Sequence, residues 1–223
     1  MAKRNVTIED MFQFSLFSRP LISPDGTHVL YEKTQMRQDE NDYHTELWLT
    51  DLNGKTNQLL IEEEHTMDAA WSPDGRSIAY LTKISQKTQL CYLSLEHQRS
   101  KRFTVFKYPL SSLTFAPDGK NIYALLPVKD QIEVWTDESE NNQITKRAYE
   151  SLYYKFDGIG FHDGTKKQII NINIDSGDVQ LITDGRHHIK EFAVSPDGKQ
   201  IAYIAVDQEN DTPLYNGTLY ELD

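Results

Sequence analysis

Met67-Asp68-Ala69-Ala70-Trp71 runs into Ser72-Pro73-Asp74-Gly75, and Ser77-Ile78-Ala79-Tyr80-Leu81 runs out of it. Pro suits the second position of a type I turn because its ring presets φ near −65°. Asp follows well, since its short carboxylate can bond nearby backbone amides. Gly then takes the left-handed conformation that joins such a turn to a bulged hairpin. The flanks are short runs of aromatic, small and β-branched residues bounded by turn signals, hence strands. The phrase is a hairpin corner, and it occurs four times. The other copies are Ser23-Pro24-Asp25-Gly26, Ala116-Pro117-Asp118-Gly119 and Ser195-Pro196-Asp197-Gly198. The four Asp residues need no calcium or acid-catalysis reading, because turn chemistry explains them and no ladder of acids follows at calcium-loop spacing.

A repeat of fixed period decides the architecture. The corner aspartates Asp25, Asp74, Asp118 and Asp197 are 49, 44 and 79 residues apart. Each repeat reads as four strands. The expected spans in the first are 20–22, 28–33, 45–51 and 56–61, with Asn53-Gly54 as a hairpin signal. The second repeat gives 67–71, 77–82, 89–95 and 102–106. The third gives 111–115 and 121–126, then 168–174 and 179–183, so its long interval reads as an insertion over 128–167. The fourth gives 190–194, 200–206 and 218–222, with no further residues for a last strand. Four-stranded sheets at a period near 45 residues indicate a β-propeller. The expected fold is all-β, a partial propeller of about four blades over 20–223. The blades run about 20–63, 64–108, 109–185 and 186–223. Before them, residues 1–19 read as a short helical segment. There Thr7 caps Ile8-Glu9-Asp10-Met11-Phe12-Gln13-Phe14, and Asp10 stands at the capping-box position.

The chain has 223 residues, of which 38% are hydrophobic, enough for a folded core. A net charge of −11 argues against nucleic acid or an anionic membrane as partner. Nowhere do about 18 uncharged apolar residues run together as a membrane span requires. The basic start Met1-Ala2-Lys3-Arg4-Asn5 is not followed by an apolar signal region. The one cysteine, Cys91, lies in a strand pattern and reads as a buried thiol. A cytoplasmic location is therefore expected.

Two stretches carry a resemblance. Thr7-Ile8-Glu9-Asp10-Met11-Phe12-Gln13-Phe14 followed by Pro20-Leu21-Ile22-Ser23-Pro24-Asp25-Gly26 resembles the start of prolyl-oligopeptidase-family serine peptidases, of the acylaminoacyl-peptidase or dipeptidyl-aminopeptidase type. The inserted Tyr153-Tyr154-Lys155-Phe156-Asp157-Gly158-Ile159-Gly160-Phe161 and the later Leu181-Ile182-Thr183-Asp184-Gly185 resemble the same subgroup. The corner phrase alone is shared with propellers of the TolB (PD40 repeat) kind. The resemblance implies an N-terminal propeller that restricts access to a C-terminal α/β-hydrolase domain, so that peptides rather than folded proteins are cleaved.

Catalytic residues are not expected in this stretch. A nucleophile elbow needs Gly-x-Ser-x-Gly, and the nearest approach, Gly75-Arg76-Ser77-Ile78-Ala79, enters a strand from a corner. His187-His188 alternate across a strand and have no third ligand at a recognisable spacing, so no metal or cofactor is expected. Glu62-Glu63-Glu64 reads as a solvated loop. Trp48 and Trp71 read as core-strand aromatics, with Trp135 in the acidic insert as the one near a ligand. Two functional expectations follow. One is the gating, non-catalytic portion of a peptidase on acylated or short peptides. The other is a free-standing propeller that binds a partner. An incomplete ring also leaves blade faces uncovered, so self-association is expected.

Overall fold

In the computed structural model, the described residues are 4–61, 65–84, 87–129, 155–156, 160–161, 165–206 and 217–222. Glu62-Glu63-Glu64, Trp135 and most of the 128–167 insertion lie outside them. The chain is nearly all-β. Sheet A orders β1 (Ser15–Ile22), β2 (His28–Arg37), β3 (Asp42–Asp51) and β4 (Asn57–Ile61) as an antiparallel meander. Sheet B repeats the order with β5 (Met67–Trp71), β6 (Ser77–Ile84), β7 (Lys87–Ser94) and β8 (Arg99–Phe106).

Sheet C contains β9 (Ser111–Phe115), β10 (Asn121–Val128), β13 (Lys166–Asn173) and β14 (Val179–Leu181), in the order β14-β13-β10-β9. Between its middle strands the two-stranded pair β11 (Lys155–Phe156) and β12 (Gly160–Phe161) intervenes. Nevertheless β10 and β13 pair without a break from Asn121↔Asn173 to Val128↔Lys166. Sheet E contains β15 (His188–Val194), β16 (Ile201–Val206) and β17 (Thr218–Leu222), three strands among the described residues.

By packing, the chain divides into two compact units, Met1–Gln86 with Leu90–Lys101 and Lys87–Gln89 with Arg102–Asp223. In the first, Leu30, Leu47 and Leu49 of sheet A meet Ile78, Tyr80, Cys91 and Leu93 of sheet B. These strands alternate, and their inward rows are the apolar ones. Each fully buried Leu or Ile here contributes about 1.5–3 kcal/mol. Cys91 is buried in that core. In the second unit, Leu125 and Ile169 of sheet C pack on Ile189, Ile201 and Ala205 of sheet E.

The N-terminus differs from expectation. The helix is a single 3-10 segment, Ile8–Gln13, whose N-terminus is held by the Thr7 N–H donating to Asp10 Oδ2 at 2.8 Å. Asp10 is in turn held by Arg4. A strand already begins at Ser15, not at Pro20. Residues Ser15–Ser18 pair with Glu32–Gln35, because β2 runs on to Arg37 and its edge would otherwise lack a partner. Within the helix Ile8 and Met11 are exposed and Phe12 is half-buried. Val6 and Phe14 on either side of it are exposed too.

The four corners share one hydrogen-bond pattern. The Gly N–H donates to the carbonyl three residues back at 2.9 Å in every copy (Gly26, Gly75, Gly119, Gly198). Each Gly has φ between 69° and 72°, the left-handed region. In three copies the serine hydroxyl donates to the Asp carboxylate, at 2.6 Å from Ser23 and Ser72 and 2.7 Å from Ser195. The same hydroxyl accepts the N–H five residues on, from His28, Ser77 and Gln200, at 2.9 Å. Ala116 offers no such hydroxyl to Asp118.

Candidate functional site

The first strands of neighbouring blades lie against each other, β1 on β5 and β9 on β15. Three of these strands carry the same irregularity. Arg19 and Pro20 stand opposite Tyr31 alone, Asp68 and Ala69 opposite Tyr80, and Ser112 and Leu113 opposite Ala124. In each bulge the first residue is left-handed, with φ of 49° at Arg19, 51° at Asp68 and 59° at Ser112. Such a conformation costs a non-glycine residue about 1–2 kcal/mol, and bulges of this kind re-aim a side chain. Each of the three lies four residues before its corner's first residue, Ser23, Ser72 or Ala116.

In the first unit the bulges meet through charge. Arg19 Nη1 is 2.6 Å from Asp68 Oδ1. Glu32, only 7% exposed, accepts the Asp68 backbone N–H at 2.9 Å through Oε1 and the Ser18 hydroxyl at 3.2 Å through Oε2. Its Oε1 also lies 4.0 Å from Arg19 Nε. The low dielectric around Glu32 makes these hydrogen bonds costly to break. Two carboxylates against one guanidinium leave the cluster formally negative, while the Arg19 side chain remains half-exposed. On the corner side, a groove of about 560 Å³ is lined by Asp25, His28, Gln58, Trp71, Leu95 and Gln98 among others. Across it the Trp71 indole N–H donates to the Leu21 carbonyl at 3.1 Å, tying β5 to β1.

Ser77, His187 and His188 each make a contact within the fold. Ser77 is 5% exposed, and its Oγ receives the Tyr92 hydroxyl at 2.7 Å. The His187 ring stacks on Tyr220 at 5.1 Å, and Tyr220 stacks on Tyr203 at 5.3 Å. His188 Nδ1 faces the Lys167 N–H at 3.4 Å instead. Thr183-Asp184-Gly185 is clasped by the buried Gln168, whose Oε1 accepts from the Thr183 hydroxyl at 2.7 Å and the Gly185 N–H at 3.0 Å. Trp71 packs on the first unit's core, but Trp48 lies on the opposite side of sheet A under Lys33, with Nζ 5.0 Å from its ring. Among the described residues no group of three or more His, Cys, Asp or Glu side chains could hold a metal ion.

Sequence reasoning missed Arg19, Glu32 and Asp68. The offset from the corner is a signal, but only strand register reveals the bulge.

Residues 25–216 match the TolB β-propeller domain model, built on the PD40 repeat. The chain belongs to that family. A curated relative, an uncharacterised peptidase, YuxL, of Bacillus subtilis, is 27% identical over 212 residues, 94% of this chain and 32% of the relative. Dipeptidyl-peptidase 5 of Porphyromonas endodontalis is 24% identical over 200 residues, 82% of this chain and 28% of the relative. The solved acylaminoacyl peptidase of Pyrococcus horikoshii superposes with a TM-score of 0.73 at 18% identity, covering 96% of this chain and 32% of that one. The chain thus spans about a third of the length of these peptidases and resembles their propeller portion. No helix among the described residues is long and apolar enough to cross a membrane.

Proposed function

We propose that this chain is the substrate-gating propeller portion of a serine peptidase that acts on acylated or short peptides. One observation carries the reading: YuxL aligns with nearly the whole chain while most of YuxL remains unmatched. In this reading the chemistry belongs to a C-terminal α/β-hydrolase domain, and the re-aimed Arg19 and Asp68 of the first unit face the peptide on its way there. Propellers of this kind surround a central channel. The blades follow the repeat boundaries near 20–63, 64–108, 109–185 and 186–223, and the protein works in the cytoplasm. The exposed Val6, Ile8, Phe14, Leu16, Phe17 and Leu219 are surfaces for the hydrolase domain or for a second copy of the chain.

The match to the TolB family supports a second reading, a propeller that binds a partner and serves no peptidase. The purified chain, incubated with acyl-peptide and aminoacyl chromogenic substrates, should release no chromophore in either case. Turnover abolished by a serine-directed inhibitor would contradict the assignment of catalysis to another domain.

A further inference from the structure

Counted from the corners, Val29, Ile78, Ile122 and Ile201 occupy equivalent places in the second strands β2, β6, β10 and β16. Side chains alternate along a strand, so each second strand presents two rows. One row, with Ile78 and Tyr80 in sheet B and Ile201 and Ala205 in sheet E, packs on the preceding sheet. The other row, with Leu30 in sheet A and Leu125 in sheet C, packs on the following one. Each of these contacts therefore joins one kind of face to the other kind.

Among the described residues two faces are left without a sheet. In sheet A the row of Val29 and Tyr31 is of the first kind. The Tyr31 ring lies 5.8 Å from that of Phe17. Phe17 and Ile22 of β1, paired with Lys33 and Val29, share this face and are 66% and 63% exposed. The equivalent residues of sheets B and C, Ile78, Tyr80, Ile122 and Ala124, are at most 1% exposed. In sheet E the row of Ala202 and Ile204 is of the second kind. Ala202 lies opposite Ala193 and Ile204 opposite Leu219, which is 73% exposed. The matching Ala79 and Leu81 of sheet B are fully buried.

We propose that the outer face of sheet A and the outer face of sheet E bind each other between two copies of the chain, head to tail. The two faces are of opposite kind, as at both sheet contacts within the chain, and a second copy is the partner that carries the missing kind for each. Phe17, Ile22 and Tyr31 supply the bulky side. Ala193 and Ala202 leave a shallow floor beside Ile204 and Leu219 to receive them. Removal of this exposed apolar surface from water drives the contact. Such a contact is heterologous: it closes a ring or continues from copy to copy, and no patch meets itself. It is independent of the peptidase reading, since it uses neither Arg19 nor Asp68. Sequence alone hides it, because both faces are ordinary alternating strands until the sheets already packed show which row faces which way.

The test is sedimentation velocity of the purified chain at tens of micromolar. The wild-type chain should associate. Phe17→Arg alters only the sheet A face and Leu219→Arg only the sheet E face, and both side chains are exposed enough for the fold to accept the change. Each variant alone should weaken association by at least about tenfold, as loss of an anchor residue does. An equimolar mixture of the two should recover a dimer, because the intact sheet E face of one variant meets the intact sheet A face of the other. A wild-type chain that stays monomeric overturns the proposal, as do variants that associate like the wild type. A mixture no more associated than its components overturns the head-to-tail geometry and the proposal with it.

Discussion

Ser72 is one of three corner serines whose hydroxyl both donates to the turn aspartate and accepts a backbone N–H. Ser72→Ala should therefore lower stability by about 1–2 kcal/mol, the worth of two modest hydrogen bonds, one of them to a charged group. The shift in urea midpoint measures it. Ala116→Ser should move the midpoint the other way, because the third corner already has Asp118 in place to receive the hydroxyl. Gly75 sits at φ of 71° with Pro24 Cδ 3.5 Å from where a Cβ would stand. Gly75→Ala should cost about 1–2 kcal/mol from the left-handed conformation alone. The Asp25 carboxyl is held down at about 2, first by the Ser23 hydroxyl and then by the Thr27 hydroxyl and N–H. Asp74 and Asp197 are lowered too, each first by its corner serine. A depressed folded pKa means stability that is complete above the unfolded value and lost as pH falls through the folded one. Acid unfolding followed by fluorescence should therefore include a corner contribution lost between about pH 4 and pH 2. Asp25→Asn should reduce that slope, and an unchanged acid profile would refute the linkage.

Among elements, Glu32 joins two blades: it receives Ser18 from β1 and the Asp68 N–H from the bulge of β5. Glu32→Ala removes the acceptor of that half-buried N–H and should destabilise the chain by about 1–3 kcal/mol. Amide exchange should then quicken at Asp68 and Ala70 more than at Ile169 in the second unit. Glu32 shows where sequence reading stopped. The corners were legible because their chemistry is local: Pro, Asp and Gly each act on the turn they occupy. The strands that follow were legible from alternation. The bulges were not, since two residues standing against one is a property of pairing rather than of either strand. For the same reason Ser15–Ser18 read as part of a helical segment, although the length of β2 holds it as strand. Trp48 read as core for want of the information that decides which side of sheet A faces sheet B.

At the scale of the whole molecule, four sheets repeat one design, and the third tolerates an interruption between β10 and β13 without losing register. Sheet A presents Phe17 and Ile22 at its first strand, and sheet E presents Leu219 on β17, all more than half exposed. Light scattering at tens of micromolar should give a mass above the 25.8 kDa of one chain, and a stable monomer would remove self-association from the account. The peptidase assignment depends on what is encoded beside this chain. The measurement that reaches it most directly is the sequence of the transcript beyond the codon for Asp223. The account predicts hydrolase sequence there, with a Gly-x-Ser-x-Gly elbow between a strand and a helix. A transcript that ends without any such sequence would contradict it and leave the partner-binding propeller as the reading.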